Sequence, residues 1–295
     1  MGVGMEKHLL VTVSGEESAM HGIRFILNFF KNRQNLRLTL FYAATRPPEV
    51  WEHEKNFETL NEQRRMADKA EAKGRKALEE ARTHLCSLEL CEEQVDAKLM
   101  FRKDTKAMDI LREGEEGLYD AIVLGRRGLT RIEQLVEDSV SMEIIGKQSI
   151  APMWICRWPE KHRQHVLLCL DGSDASYRMA DHVGFMVAEE KHHHVRLLRV
   201  IKPGTRSHRE TEEIFSRAAE SLLENGVDES RIRMTVRERN TPWRAIMEEA
   251  EDGMYAAVAL GRTGAGGGMF KRLFMGSTTI NLMRELAGAV LWVRP

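Results

Sequence analysis

The 295-residue sequence has no surplus of either charge: 44 Lys and Arg stand against 45 Asp and Glu, a formal net charge of −1. That balance removes the bulk electrostatic case for binding nucleic acid or an anionic membrane surface. Cysteine is scarce. The four present, Cys86, Cys91, Cys156 and Cys169, form no CxxC pair and no spaced ligand set with histidine, so they read as reduced thiols rather than a disulfide frame or a zinc site. Long hydrophobic runs are missing too. The run Leu9 to Val13 breaks at Ser14-Gly15, too soon for a signal peptide, and no stretch approaches a membrane span. The expectation is a soluble, cytoplasmic chain, long enough for two domains that each bury an ordinary core.

What is present is a repeat. EEGLYDAIVLGRRG, from Glu115 to Gly128, lies over EDGMYAAVALGRTG, from Glu251 to Gly264, with 8 identities in 14 positions. Upstream, HLLVTVSG (His8 to Gly15) matches HVLLCLDG (His165 to Gly172) at a larger offset, so the first half carries an insertion between these landmarks. The long charged stretch Glu49 to Leu90 is where it falls, outside any sheet. Each half reads as five strands separated by helices. The strands are placed near His8–Val13, Leu36–Ala43, Val95–Phe101, Ala121–Leu124 and Met153–Cys156, then His165–Leu170, Val195–Ile201, Ile232–Val236, Ala257–Leu260 and Ala289–Val293. Apolar runs of this length bounded by glycine turns are typical of buried parallel strands. Alternation with amphipathic helices, among them Ser176 to Glu190 and, in the first half, Ser139 to Lys147, predicts βαβ crossovers and an α/β fold of two tandem open parallel sheets. The polar stretch Trp158 to Gln164 is the linker.

In such sheets, ligands sit beyond the carboxyl ends of the strands. The second half places Asp171-Gly172-Ser173 after its first strand, Gly261-Arg262-Thr263-Gly264 after its fourth, and Gly276-Ser277-Thr278 at the start of its last helix. Glycines permit close backbone approach, a helix start offers amide donors to phosphate, and Ser277 and Thr278 add hydroxyls. A carboxylate at Asp171 can accept from a ribose hydroxyl or an adenine amino group, or else cap the following helix. Gly261 and Gly264 can equally serve a tight turn without a ligand.

With these residues in this order, the chain resembles the universal stress proteins, whose nucleotide-binding members carry an Asp after strand one and G-x2-G-x9-G-[S/T] after strand four. The resemblance covers both halves. It implies two five-stranded Rossmann-like domains of the adenine nucleotide alpha hydrolase-like type, residues 1–157 and 165–295. It further implies that ATP, with or without Mg, is held by the second domain. Asp171 would face the adenosine, Val200 would meet the base through its backbone, and Gly261, Gly264, Gly276, Ser277 and Thr278 would hold the phosphates. The spacing departs from the pattern, with eleven residues from Ala265 to Met275 where the family has nine. The first domain keeps the nine-residue spacing after Gly128 but has Asp138 for the glycine and Ser14 for the adenosine-side Asp. A carboxylate about 4 Å from a phosphate costs about 1 kcal/mol per unit charge in bulk water and about 4 kcal/mol at an effective dielectric constant of about 20. The first domain is therefore expected not to bind ATP in the family's manner.

The resemblance also implies that the two halves pair through their fifth strands; further association of whole chains and an unidentified protein partner are left open. No nucleophile beside a base and no paired catalytic carboxylates stand at the strand ends, so dedicated catalysis is not expected, and ATP hydrolysis would at most be slow. His192-His193-His194 alternate faces on entering a strand and do not form a metal set. Two alternatives remain. One is a stress scaffold that binds no nucleotide and docks partners through Glu52 to Arg82. The other is an ATP-using enzyme, since Ser14-Gly15-Glu16-Glu17-Ser18 is similar to the SGGxDS loop of ATP pyrophosphatases, though one residue short and lacking the second glycine.

Overall fold

The central apolar runs become strands whose side chains are buried on both faces, the condition under which parallel strands lose hydrophobic alternation, while the two outermost strands, Val95–Phe101 and Ile232–Glu238, are largely exposed. In the computed structural model the described residues are 5–14, 20–87, 90–125, 151–205, 208–262 and 276–294. The first half contributes β1 (Lys7–Thr12), β2 (Leu36–Ala44), β3 (Val95–Phe101), β4 (Ala121–Gly125) and β5 (Met153–Cys156). The second contributes β6 (Gln164–Cys169), β7 (Val195–Ile201), β8 (Ile232–Glu238), β9 (Tyr255–Gly261) and β10 (Val290–Arg294). Between them run α1 (Met20–Phe29), α2 (Phe57–Cys86), α3 (Lys106–Glu116), α4 (Asp174–Val187), α5 (His208–Glu224), α6 (Pro242–Asp252) and α7 (Ser277–Glu285).

The strands form one ten-stranded sheet in the order β3-β2-β1-β4-β5-β10-β9-β6-β7-β8. Within each half every pairing is parallel, and the halves join through β5 and β10, antiparallel, with Trp154 opposite Trp292. One face is covered by α1, α2, α4 and α5 and the other by α3, α6 and α7, and both hydrophobic cores run continuously across the join. The linker is pinned: Arg163 Nε donates to Glu160 and its Nη1 to Ala250 O. Gly288, at φ +79, lies against that guanidinium, where a Cβ would come within 2.6 Å of Arg163 Cζ. No helix among the described residues is long and apolar enough to cross a membrane.

The helices differ from the sequence reading mainly at their ends. The charged stretch condenses into α2, capped by Asn56 and preceded by a single 3-10 turn at Glu52–Glu54. Only the later turns of α2 bury a face, through Gly74, Ala77, Leu78, Ala81 and Leu85. In the second half α4 begins two residues earlier than the predicted start at Ser176, because the Ser173 side chain accepts from Ser176 N and caps it. The predicted helix Ser139 to Lys147 lies outside the described residues.

The join has its own chemistry. Trp154 and Trp292 stack at 4.2 Å with their planes 4° apart. Phe25 of α1 and His182 of α4, each from the helix after the first strand of its half, meet both indoles edge-on. His182 Nε2 accepts from Trp154 Nε1 at 3.0 Å, whereas Trp292 Nε1 is buried without a hydrogen-bond partner among the described residues. Phe25 offers no acceptor on the first half's side. Burial, aided by Arg294, holds the pKa of His182 down at about 3, so the ring is neutral.

Candidate functional site

In each half the first strand is flanked by the second on one side and the fourth on the other, so the strand order reverses beside it. That reversal opens the crevice in which doubly wound sheets bind ligands. In the second half it lies between β6 and β9. Asp171 follows β6, and Gly261 ends β9. Leu170 N donates to Leu198 O, which puts Val200 of β7 one strand over at the height of the Asp171 turn.

Asp171 is exposed, and its Oδ1 accepts from Ser173 N at 3.0 Å and from Ser173 Oγ at 2.6 Å. The helix cap is thus Ser173, with Asp171 bracing the turn. Between them Gly172 sits at φ +85, a region that favours glycine. The sequence reading named Ser173 within this loop but gave it no role; the spacing Asp-x-Ser ahead of a helix was its signal.

Gly261 touches the start of α4. A Cβ on it would come within 2.7 Å of Ala175 C and 2.8 Å of Ser176 N, both backbone atoms. Close packing of strand on helix therefore accounts for this glycine with no ligand present. The same approach brings the first turn of α4 to the carboxyl edge of β9.

Beyond Gly261, Arg262 N donates to Arg294 O at 2.7 Å, and Arg262 O accepts from Gly276 N at 3.0 Å and Thr279 Oγ1 at 3.4 Å. The residues on either side of 263–275 are thereby held together at the sheet edge. Burial, with the nearby Arg178 adding to it, lowers the pKa of the Arg262 guanidinium. Gly276 is the N-cap of α7 and supplies no side-chain acceptor, so the first-turn amides of that helix have no capping side chain. Ser277 is exposed and Thr278 half-buried.

The fold thus gathers Asp171, Val200, Gly261, Gly276, Ser277 and Thr278 at one sheet edge. Gly264 lies outside the described residues, as do Gly128, Asp138 and the segment Gly15 to Ser18. Of the histidine triplet, His193 is engaged at both ring nitrogens: its Nδ1 accepts from His165 N at 3.0 Å and its Nε2 meets Phe29 O at 3.0 Å. Among the described residues no group of three metal-binding side chains assembles. The four cysteines are free, with Cys156 and Cys169 buried and their thiol pKa values raised by that burial.

A parallel strand order that reverses beside the first strand defines a doubly wound α/β unit, built twice and joined edge to edge. The model of the universal stress protein family matches residues 5–157 and again 162–294, and the chain belongs to that family. Among solved structures, it is similar to a universal stress protein from Archaeoglobus fulgidus DSM 4304, at 18% identity over 97% of both chains with a TM-score of 0.64. A functionally unknown protein from Pseudomonas aeruginosa PAO1 is 12% identical over 98% of this chain and 92% of its own, with a TM-score of 0.49. A universal stress protein in complex with cAMP is 19% identical, over 45% of this chain and 97% of its own, with a TM-score of 0.36. No curated protein matches the chain.

Proposed function

We propose that this protein is an ATP-binding regulatory member of the universal stress family, with the nucleotide, with or without Mg, in the domain of residues 165–295 and a structural domain in residues 1–157. The observation that carries this reading is the N-terminus of α7. Its cap is a glycine, Gly276, bonded back to Arg262 O at the carboxyl edge of the sheet, beside the Asp171 turn. A helix start uncapped by a side chain is a favourable seat for phosphate oxygens. Asp171 and the Val200 backbone stand where the adenosine end would lie, and Ser277 and Thr278 supply hydroxyls. The protein acts in this reading by changing its partners with nucleotide occupancy, in the cytoplasm, and any hydrolysis is incidental.

Ligand binding to the native state alone stabilises it by about 2.7 kcal/mol at a hundredfold excess over the dissociation constant. Thermal unfolding with millimolar ATP should therefore move upward, and Asp171→Ala should shrink the shift. An unmoved transition in the unmutated protein would sink the proposal.

One observation favours the scaffold reading: Trp51 and Phe57 are 70% and 81% exposed at the start of the inserted segment. Removing Glu52 to Arg82 would also remove the buried face of α2, so Trp51→Ala with Phe57→Ala is the cleaner test. Partner capture lost in that double variant, with no response to ATP, would favour the scaffold.

A further inference from the structure

At the amino ends of the second half's strands, opposite the Asp171 edge, lies a cavity of about 260 Å³ lined by His165, His194, Arg196, Arg233, Gly253 and Tyr255. Arg196 and Arg233 are register partners on β7 and β8. The Arg196 guanidinium is held in place by Nε donating to Tyr255 Oη at 3.0 Å and Nη1 donating to Thr235 Oγ1 at 2.8 Å. Among the described residues no carboxylate pairs with Arg196 or Arg233. Glu249, the buried carboxylate of α6, is taken by Arg237 at 2.6 Å, and Glu251 by Arg163. His165 stands at φ +68, and its Nδ1 accepts from His194 N at 3.1 Å. That acceptor role places the neutral ring's proton on Nε2, a further donor.

The first half shows what this place looks like without the two facing guanidiniums. Its register pair is Thr39 with Asp96, where the second half has Arg196 with Arg233. There His8 Nε2 meets Thr39 Oγ1 at 2.8 Å, and Asp96 is neutralised by Arg37 at 2.9 Å. The second half has thus exchanged a hydroxyl and a carboxylate for two guanidiniums around an open cavity. Guanidinium forks match the oxygens of a phosphate geometrically, and paired forks with an imidazole donor suit a compact tetrahedral dianion.

We infer that this cavity is a second anion site, distinct from the α7 edge, which takes a phosphate dianion, either free or as the head of a small phosphate monoester. The full-length protein is titrated calorimetrically with inorganic phosphate and, separately, with glycerol phosphate, while the His165 and His194 ring resonances are followed by NMR. Saturable binding with movement of those resonances is expected, for inorganic phosphate if the free ion is the ligand and for glycerol phosphate alone if the ester is. Arg233→Gln, on an exposed edge strand, and Arg196→Thr, which installs the first half's own residue, should each weaken binding by about tenfold or more. Gly276→Asp, at the other edge, should leave the movement of the His165 and His194 resonances unchanged. No saturable movement of those resonances with either probe would overturn the inference. So would movement that survives both arginine substitutions or vanishes with Gly276→Asp.

Discussion

The two halves share a strand plan and differ at three places where a strand end or a helix meets something else. At the carboxyl edge the second half has Asp171 where the first has Ser14, and in the sequence Gly276 corresponds to Asp138. At the amino edge it has Arg196 and Arg233 where the first has Thr39 and Asp96. At the join it presents His182 to the indole pair where the first presents Phe25. In all three the strand order is kept and only the side chains placed on it differ. Duplication that keeps a core and varies its rim gives one copy freedom to bind while the other supplies a matched edge.

The largest test of that asymmetry is pH. His182 and His193 are both buried in the second half with pKa values held at about 3 by burial, to which Arg294 adds for the first and His192 for the second. An unfolded histidine titrates near its ordinary value of about 6.5, so below that the unfolded chain binds the more protons. Their contribution is complete above about pH 6.5 and is lost as pH falls toward about 3, at about 1.4 kcal/mol per pH unit for each ring. Between about pH 7 and pH 5 the pair should cost about 4 kcal/mol, read from urea midpoints across that range.

Next in size is Gly261→Ala. Its Cβ would be driven into the Ala175 and Ser176 backbone of α4, which cannot rotate away. A loss of about 3 kcal/mol in the same urea experiment is expected. A near-neutral result would mean that α4 and β9 do not approach as closely as described.

Smaller again is His182→Phe, which makes the join symmetrical. Trp154 Nε1 then loses its acceptor, as Trp292 Nε1 already lacks one, at a cost of about 1 to 2 kcal/mol near pH 7. The variant also sheds one of the two titrating rings. Its stability curve should converge on that of the unmutated protein near about pH 5, and curves that stay parallel would show that His182 is not the buried neutral ring.

Much of the fold was legible because central parallel strands covered on both faces are mainly apolar runs with glycine or polar residues at their ends. Met153–Cys156 and Val195–Ile201 appear with their predicted limits, and so does Val95–Phe101, a largely exposed edge strand. Helix starts were harder, since a cap such as Ser173 belongs to the turn and carries no hydrophobic period. The pairing of β5 with β10 followed from resemblance alone; nothing in MWIC or VLWVR names its partner. At the carboxyl edge the order of loops was readable, but the contact of Gly261 with α4 was not, since a turn glycine and a packing glycine look alike in sequence. The arginine cavity was missed outright, because its residues come from the starts of four strands and form no motif. Only laying Thr39 and Asp96 over Arg196 and Arg233 could have exposed it.

The central claim is that the second half holds the nucleotide and that the glycine cap of α7 is what permits it. Gly276→Asp gives the second half the carboxylate that the first carries at Asp138. Because Gly276 has φ −63 and caps a helix, aspartate there should leave stability unchanged or slightly raised. Equilibrium dialysis with ATP should find one site per chain in the unmutated protein and affinity lowered by about tenfold or more in Gly276→Asp. Equal ATP binding by the two proteins would contradict the account.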